Sequence, residues 1–126
     1  MANDTKNFKV REFACKHCGE NIIDQRVVDM AQVIRDELGV PVRVNSGYRC
    51  EAHNKKAGGV KNSKYILGKA ADLSCSKGAA AMFEACKKLF AEGKLPNLDY
   101  CKKYRTWIHI DCGGKRNNRW DGKIYF

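Results

Sequence analysis

Between Asp24 and Gly39 the apolar residues Val27, Val28, Ala31, Ile34 and Leu38 recur at the spacing of one helical face. Asp24 stands before the run as an N-cap and Gly39 after it as a stop, so the pattern predicts a helix over Gln25–Leu38. An amphipathic helix must bury its apolar stripe against a second layer. The rest of the chain supplies that layer in short pieces. Pro41 followed by alternating Val42-Arg43-Val44 predicts a strand ending at Asn45 or Ser46, and Ala70–Ser74 predicts a second. Leu98–Lys102 and Thr106–Asp111 read as a strand pair joined near Tyr104-Arg105. Phe8–Phe13 reads as extended, Glu51–Ala57 as a short helix closed by Gly58-Gly59, and Val60–Lys69 as a loop. Ser76 is expected to cap a helix through Ala91, with Ala79, Met82, Phe83, Cys86 and Phe90 facing the core and Gly93 and Pro96 ending it. A Lys/Arg/Asn/Gly-rich tail ends in Trp120 and Phe126. The expected fold is α+β, a small, mainly antiparallel sheet packed with helices, in a single domain over residues 1–126.

No run of about 18 apolar residues exists, so no membrane insertion is expected. Met1–Lys9 is polar and lacks a signal-peptide core, which points to a chain that is cytoplasmic as synthesised. The formal net charge of +10 suits solubility or an anionic partner, and both nucleic acid and anionic cell-wall polymers qualify. The basic residues are spread along the chain and no nucleic-acid-reading motif accompanies them, so nucleic acid is the weaker branch. Seven cysteines are an odd number, so they cannot all pair within the chain. Without an export signal, thiols and metal binding are expected before a disulfide framework.

Three segments carry residues suited to chemistry. In Ser46-Gly47-Tyr48-Arg49, Gly47 allows a tight turn that sets Arg49 at a strand end, and its planar fork of donors matches a carboxylate. In Ser63–Asp72, Asp72 lies inside the apolar strand Ala70–Leu73 and must be paired, hydrogen-bonded or metal-bound. In Trp107–Asp111, alternation puts Trp107, His109 and Asp111 on one face, and a histidine beside an acid suits metal binding or proton transfer. The bland readings are a surface arginine, an aspartate bonded to backbone or lysine, and a core histidine.

Together these segments resemble the zinc D-Ala-D-Ala carboxypeptidase family, in its cell-wall and phage-lysin branch. The resemblance runs from about Phe8 to Trp120. It is carried by Phe13-Ala14-Cys15, Ser46-Gly47-Tyr48-Arg49-Cys50, His53-Asn54, Gly58-Gly59, Ser63, Gly68-Lys69-Ala70-Ala71-Asp72 and Ile108-His109-Ile110-Asp111. It implies a carboxypeptidase/hedgehog-like fold, a catalytic zinc ion and a peptidoglycan stem peptide as substrate. Asp72 and His109 match two metal ligands, and Arg49 matches the residue that binds the substrate's terminal carboxylate or an adjacent carbonyl. Ser63 matches a substrate contact beside the metal, and Trp107 is expected to join Arg49 and Ser63 in substrate binding. The chain departs at two places. Tyr65 stands where the family has its first histidine ligand, and Thr106 stands where many members carry an acidic general base. Asp111 is the expected substitute base, with orientation of His109 as its other role. Tyr65 itself is the expected third ligand, with His53 or Cys75 as replacements. The alternative is an inactive relative serving as a cell-wall-binding or virion structural module. Either would act at the wall after release or as part of a virion, and as a monomer outside one.

Cys15-Lys16-His17-Cys18 is a C-x-x-C and Cys50-Glu51-Ala52-His53 a C-x-x-H. Cys15, Cys18, Cys50 and His53 could form a second, structural zinc site tying the N-terminal arm to the loop after Arg49. Reduced thiols, or a Cys15–Cys18 or Cys15–Cys50 disulfide, are the alternatives. Cys75, Cys86, Cys101 and Cys112 are expected in core packing.

Overall fold

The computed structural model describes residues 2–58, 63–114 and 119–122. Helix α1 spans Gln25–Leu38 as expected. The Asp24 carboxylate accepts from the Arg26 N–H, and Gly39 closes the helix in the left-handed conformation. Strand β1 (Val42–Ser46) leads through the Arg49 loop into a short helix α2 (Glu51–Lys56). Strand β2 (Ala70–Cys75), helix α3 (Ala79–Ala91), strands β3 (Tyr100–Lys103) and β4 (Ile108–Asp111), and a two-residue β5 (Trp120–Asp121) complete the elements among the described residues.

The five strands form one sheet in the order β1-β2-β4-β3-β5. The first three pairings are antiparallel and β3–β5 is parallel, so the sheet is mixed. Alternation decides the faces. Val44, Ala71, Leu73, Cys101, Ile108 and Ile110 enter the same core as Val27, Val28, Ala31 and Ile34 of α1 and Met82, Phe83, Cys86 and Leu89 of α3. The intervening residues Asp72, His109 and Asp111 therefore belong to the sheet's other face.

Four expectations change. Phe8–Phe13 is not extended: Val10–Phe13 forms a 3₁₀ turn, because the Asp4 and Glu12 carboxylates accept from the Val10 and Lys9 N–H groups. Ser76 does not cap α3. A turn closed from the Gly78 N–H to the Cys75 carbonyl consumes it, and Gly78 takes the N-cap position. Phe90 is only half-buried, edge-on to Trp120, and Leu89 fills the core position instead. The strand expected from Leu98 starts at Tyr100, since Leu95–Leu98 closes as a turn. Trp120 also meets Phe83 edge-on, which anchors β5. Phe126, Gly59 and Val60 lie outside the described residues.

Candidate active site

Register builds the site. β2 and β4 pair Asp72 directly opposite His109, so the two side chains leave the same face as cross-strand neighbours. A third side chain arrives from the turn over Ser63–Gly68, which is closed by bonds from Ile66 N–H to Ser63 O and from Gly68 N–H to Tyr65 O. Gly68 has φ +70° and lies against the Ile22 backbone, so no side chain fits there. The turn is thus locked in the shape that delivers Tyr65. Arg49 is tied to it by its N–H, which donates to the Tyr65 carbonyl at 3.1 Å.

The three side chains converge. Tyr65 Oη donates to Asp72 Oδ1 at 2.6 Å and lies 2.7 Å from His109 Nδ1, while that nitrogen is 3.3 Å from Asp72 Oδ1. His109 Nε2 meets Asp111 Oδ2 at 2.7 Å. The fully buried Asp111 also takes Lys64 Nζ at 3.1 Å through its other oxygen, and Lys64 bridges onward to the buried Asp99. Asp111 therefore holds His109 from behind. That position suits the orienting role and leaves the general-base role without access to solvent.

Burial, reinforced by the Asp72 charge, pushes the Tyr65 phenol far above its ordinary pKa. Burial opposes a charge on His109, yet its hydrogen bonds to Asp111 and Asp72 outweigh that and lift the imidazole above its ordinary value. Arg49 covers the group: its guanidinium lies 3.8 Å over the Tyr65 ring and 3.7 Å from Asp72 Oδ2, and its Nε donates to Ser46 Oγ at 3.1 Å.

The remaining candidates lie nearby or elsewhere. Ser63 is buried and its hydroxyl donates to Asn54 Oδ1 at 3.0 Å, joining the turn to α2. Trp107 precedes β4 and stacks flat on Tyr104, with centroids 4.6 Å apart. Thr106 is exposed. His53 lies with the cysteines, its Nδ1 3.5 Å from Cys15 Sγ, and Cys75 packs against the core. Neither replaces the phenol as a donor, which corrects that expectation. Sequence reasoning missed Lys64 and Asp99. A lysine beside Tyr65 in a basic chain gives no sign that it reaches two buried carboxylates far along the sequence.

Residues 6–111 match the peptidase M15 family. The chain belongs to that family. No curated protein matches it. M15 peptidases are zinc-dependent, so the donor set has to be weighed against that ion. Neighbouring donors around a tetrahedral zinc stand about 3.3 Å apart, the separation of Asp72 and His109. The phenol stands closer because its proton lies in a hydrogen bond to Asp72. With that proton displaced, carboxylate and phenolate would balance the charge of a divalent ion, and Asp111 already leaves His109 Nδ1 turned to the same point. Tyr65, Asp72 and His109 would fit zinc on one condition, loss of the Tyr65 proton, which a bound cation favours.

Proposed function

We propose that this M15 domain is a zinc metallopeptidase acting on peptidoglycan stem peptides, as a D,D-carboxypeptidase or an endopeptidase of endolysin type. The observation that carries the reading is the convergence of Tyr65 Oη, Asp72 Oδ1 and His109 Nδ1 within 3.3 Å. These three would hold the ion, which when bound supplies a Lewis acid that polarises a carbonyl and acidifies water. Arg49 is the residue for the substrate's carboxylate. Its pairing with Asp72 at 3.7 Å is long, so its fork remains available to a better-aligned anion. Asp111 fixes the tautomer of His109 by accepting from Nε2–H, and Lys64 holds Asp111 in turn. The net charge of +10 favours approach to an anionic wall.

One observation favours a second reading, a wall-binding or virion module without turnover. With a proton on both nitrogens of His109, the Tyr65–Asp72–His109 network satisfies its own hydrogen bonds without an ion, and among the described residues no buried side-chain nitrogen or oxygen lacks a partner. D-alanine release from a stem pentapeptide, measured alongside the metal content of the purified chain, separates the two. Release that depends on added zinc and is lost in Asp72→Ala supports the peptidase. Absence of release from wild type at saturating zinc, with restored release in Tyr65→His, would show that the phenol has closed the catalytic site. Wall-fragment binding that is lost in Arg49→Ala would then identify the module.

A further inference from the structure

A second cluster lies outside the Tyr65 site. The sulfurs of Cys15, Cys18 and Cys50 all lie within 4.8 Å of one another. All three are free thiols, with Cys15 buried, Cys50 half-buried and Cys18 exposed. His53 Nδ1 stands 3.5 Å from Cys15 Sγ. Around a tetrahedral zinc, sulfur–sulfur edges measure about 3.8 Å and sulfur–nitrogen edges about 3.6 Å, so the three sulfurs stand near the spacing of three corners of such a site, with His53 beside one of them, Cys15.

The backbone is shaped for thiolates. The Cys50 N–H points at Cys15 Sγ at 3.4 Å, and the His53 N–H points at Cys50 Sγ at 3.4 Å, the latter sulfur serving as N-cap of α2. The C-x-x-C turn is closed from the Gly19 N–H to the Cys15 carbonyl. Backbone donors aimed at sulfur stabilise negative charge on it, which three thiolates on one ion require.

The geometry points to a structural zinc site formed by Cys15, Cys18, Cys50 and His53. It joins the N-terminal arm to the loop that carries Arg49. Arg49 is adjacent to Cys50, and the arm already reaches that loop through Tyr48 N–H to Phe13 O at 2.8 Å. The ion therefore fixes the arginine's starting point in the chain. His17 is the competing nitrogen, its Nδ1 3.5 Å from Cys50 Sγ, but its side chain is exposed whereas that of His53 is partly buried on α2.

The test uses the full chain carrying Asp72→Asn and His109→Gln, so that the M15 site contributes no metal and the outcome is independent of the peptidase reading. One zinc per chain is expected, released by a mercurial thiol reagent. Cobalt(II) substitution should give sulfur-to-metal charge-transfer absorption. Cys18→Ala and Cys50→Ala should each weaken cobalt affinity at least about 100-fold and remove most of that absorption. His53→Ala should shift the visible cobalt bands while His17→Ala leaves them unchanged. Absence of thiolate absorption, its persistence in Cys18→Ala, or a disulfide between any two of the three cysteines that survives purification under reducing conditions overturns the site. Loss of the bands in His17→Ala instead of His53→Ala overturns the assigned fourth ligand.

Discussion

The guanidinium of Arg49 lies 3.8 Å above the ring of Tyr65. The residue proposed to receive the substrate's carboxylate thus rests on the residue that departs from the family's ligand set. A change at position 65 would alter the proposed metal site and the arginine's platform together.

Replacing the phenol tests that coupling. In a chain carrying Cys18→Ala, so that the cysteine cluster does not contribute, Tyr65→His should raise zinc affinity at the Asp72–His109 site by more than about tenfold. An imidazole ligates as a neutral base, whereas the buried phenol must first lose a proton. Competition against a chromophoric chelator measures the change; equal affinities would mean that the phenol is already an effective ligand.

Arg49 should be tested by fork and charge separately. Arg49→Ala should weaken binding of a peptide with a free terminal carboxylate by about 30-fold, the worth of one charge-assisted bond pair near 2 kcal/mol. Arg49→Lys should recover only part of it, because an ammonium lacks the planar fork. Calorimetric titration against the amidated peptide provides the reference. A loss of the same size for both peptides would assign Arg49 to packing.

Lys64 sits between Asp99 and Asp111, with side-chain exposures of 4% and 0% for the two acids. Lys64→Met should destabilise the fold by about 3 kcal/mol, because it leaves two buried carboxylates without their shared cation. Denaturant unfolding reads the loss. A shift below about 1 kcal/mol would mean that water reaches the acids and that their burial is not maintained in solution.

Asp24 carries the clearest acid-dependent contribution. Its hydrogen bond to the Arg26 side chain leads the causes that hold the Asp24 carboxyl below its ordinary value, against the opposing effect of burial, with the Arg26 N–H adding to it. A lowered folded-state pKa stabilises at pH values above the unfolded value of about 3.9, and that stability is lost as pH falls through the folded value. Asp24→Ala should cost about 1 kcal/mol at neutral pH, roughly 4 °C in melting temperature. Asp24→Asn should keep most of the cap and differ least from wild type in acid. Thermal melts between about pH 2 and pH 7 provide the comparison.

What the sequence disclosed follows from how local each signal is. The span of α1 was legible because its periodicity, cap and stop lie within one short stretch. Asp72, His109 and Asp111 stood out because alternation exposes a polar residue in an apolar strand, and the order of the family's motifs supplied Arg49 and Tyr65. The cysteine spacings likewise suggested a cluster, and the sulfurs of Cys15, Cys18 and Cys50 do come together. The Asp72–His109 register, by contrast, is a relation between distant strands that no local pattern encodes. The Lys64 bridge and the Tyr104–Trp107 stack escaped for the same reason. The start of α3 was misread because serine is a good cap in isolation, whereas here a turn ending at Gly78 competes for the same backbone and wins.

The parallel β5 has a consequence for how the molecule meets copies of itself. A sheet that ends in a long flat strand offers its unpaired amides as a template for another chain. Here one border is a two-residue strand fastened by the Trp120 indole, and the other, β1, is broken by a bulge between Val44 and Ser46. Among the described residues neither border offers a long regular ladder, a shape that disfavours strand-to-strand growth between folded copies.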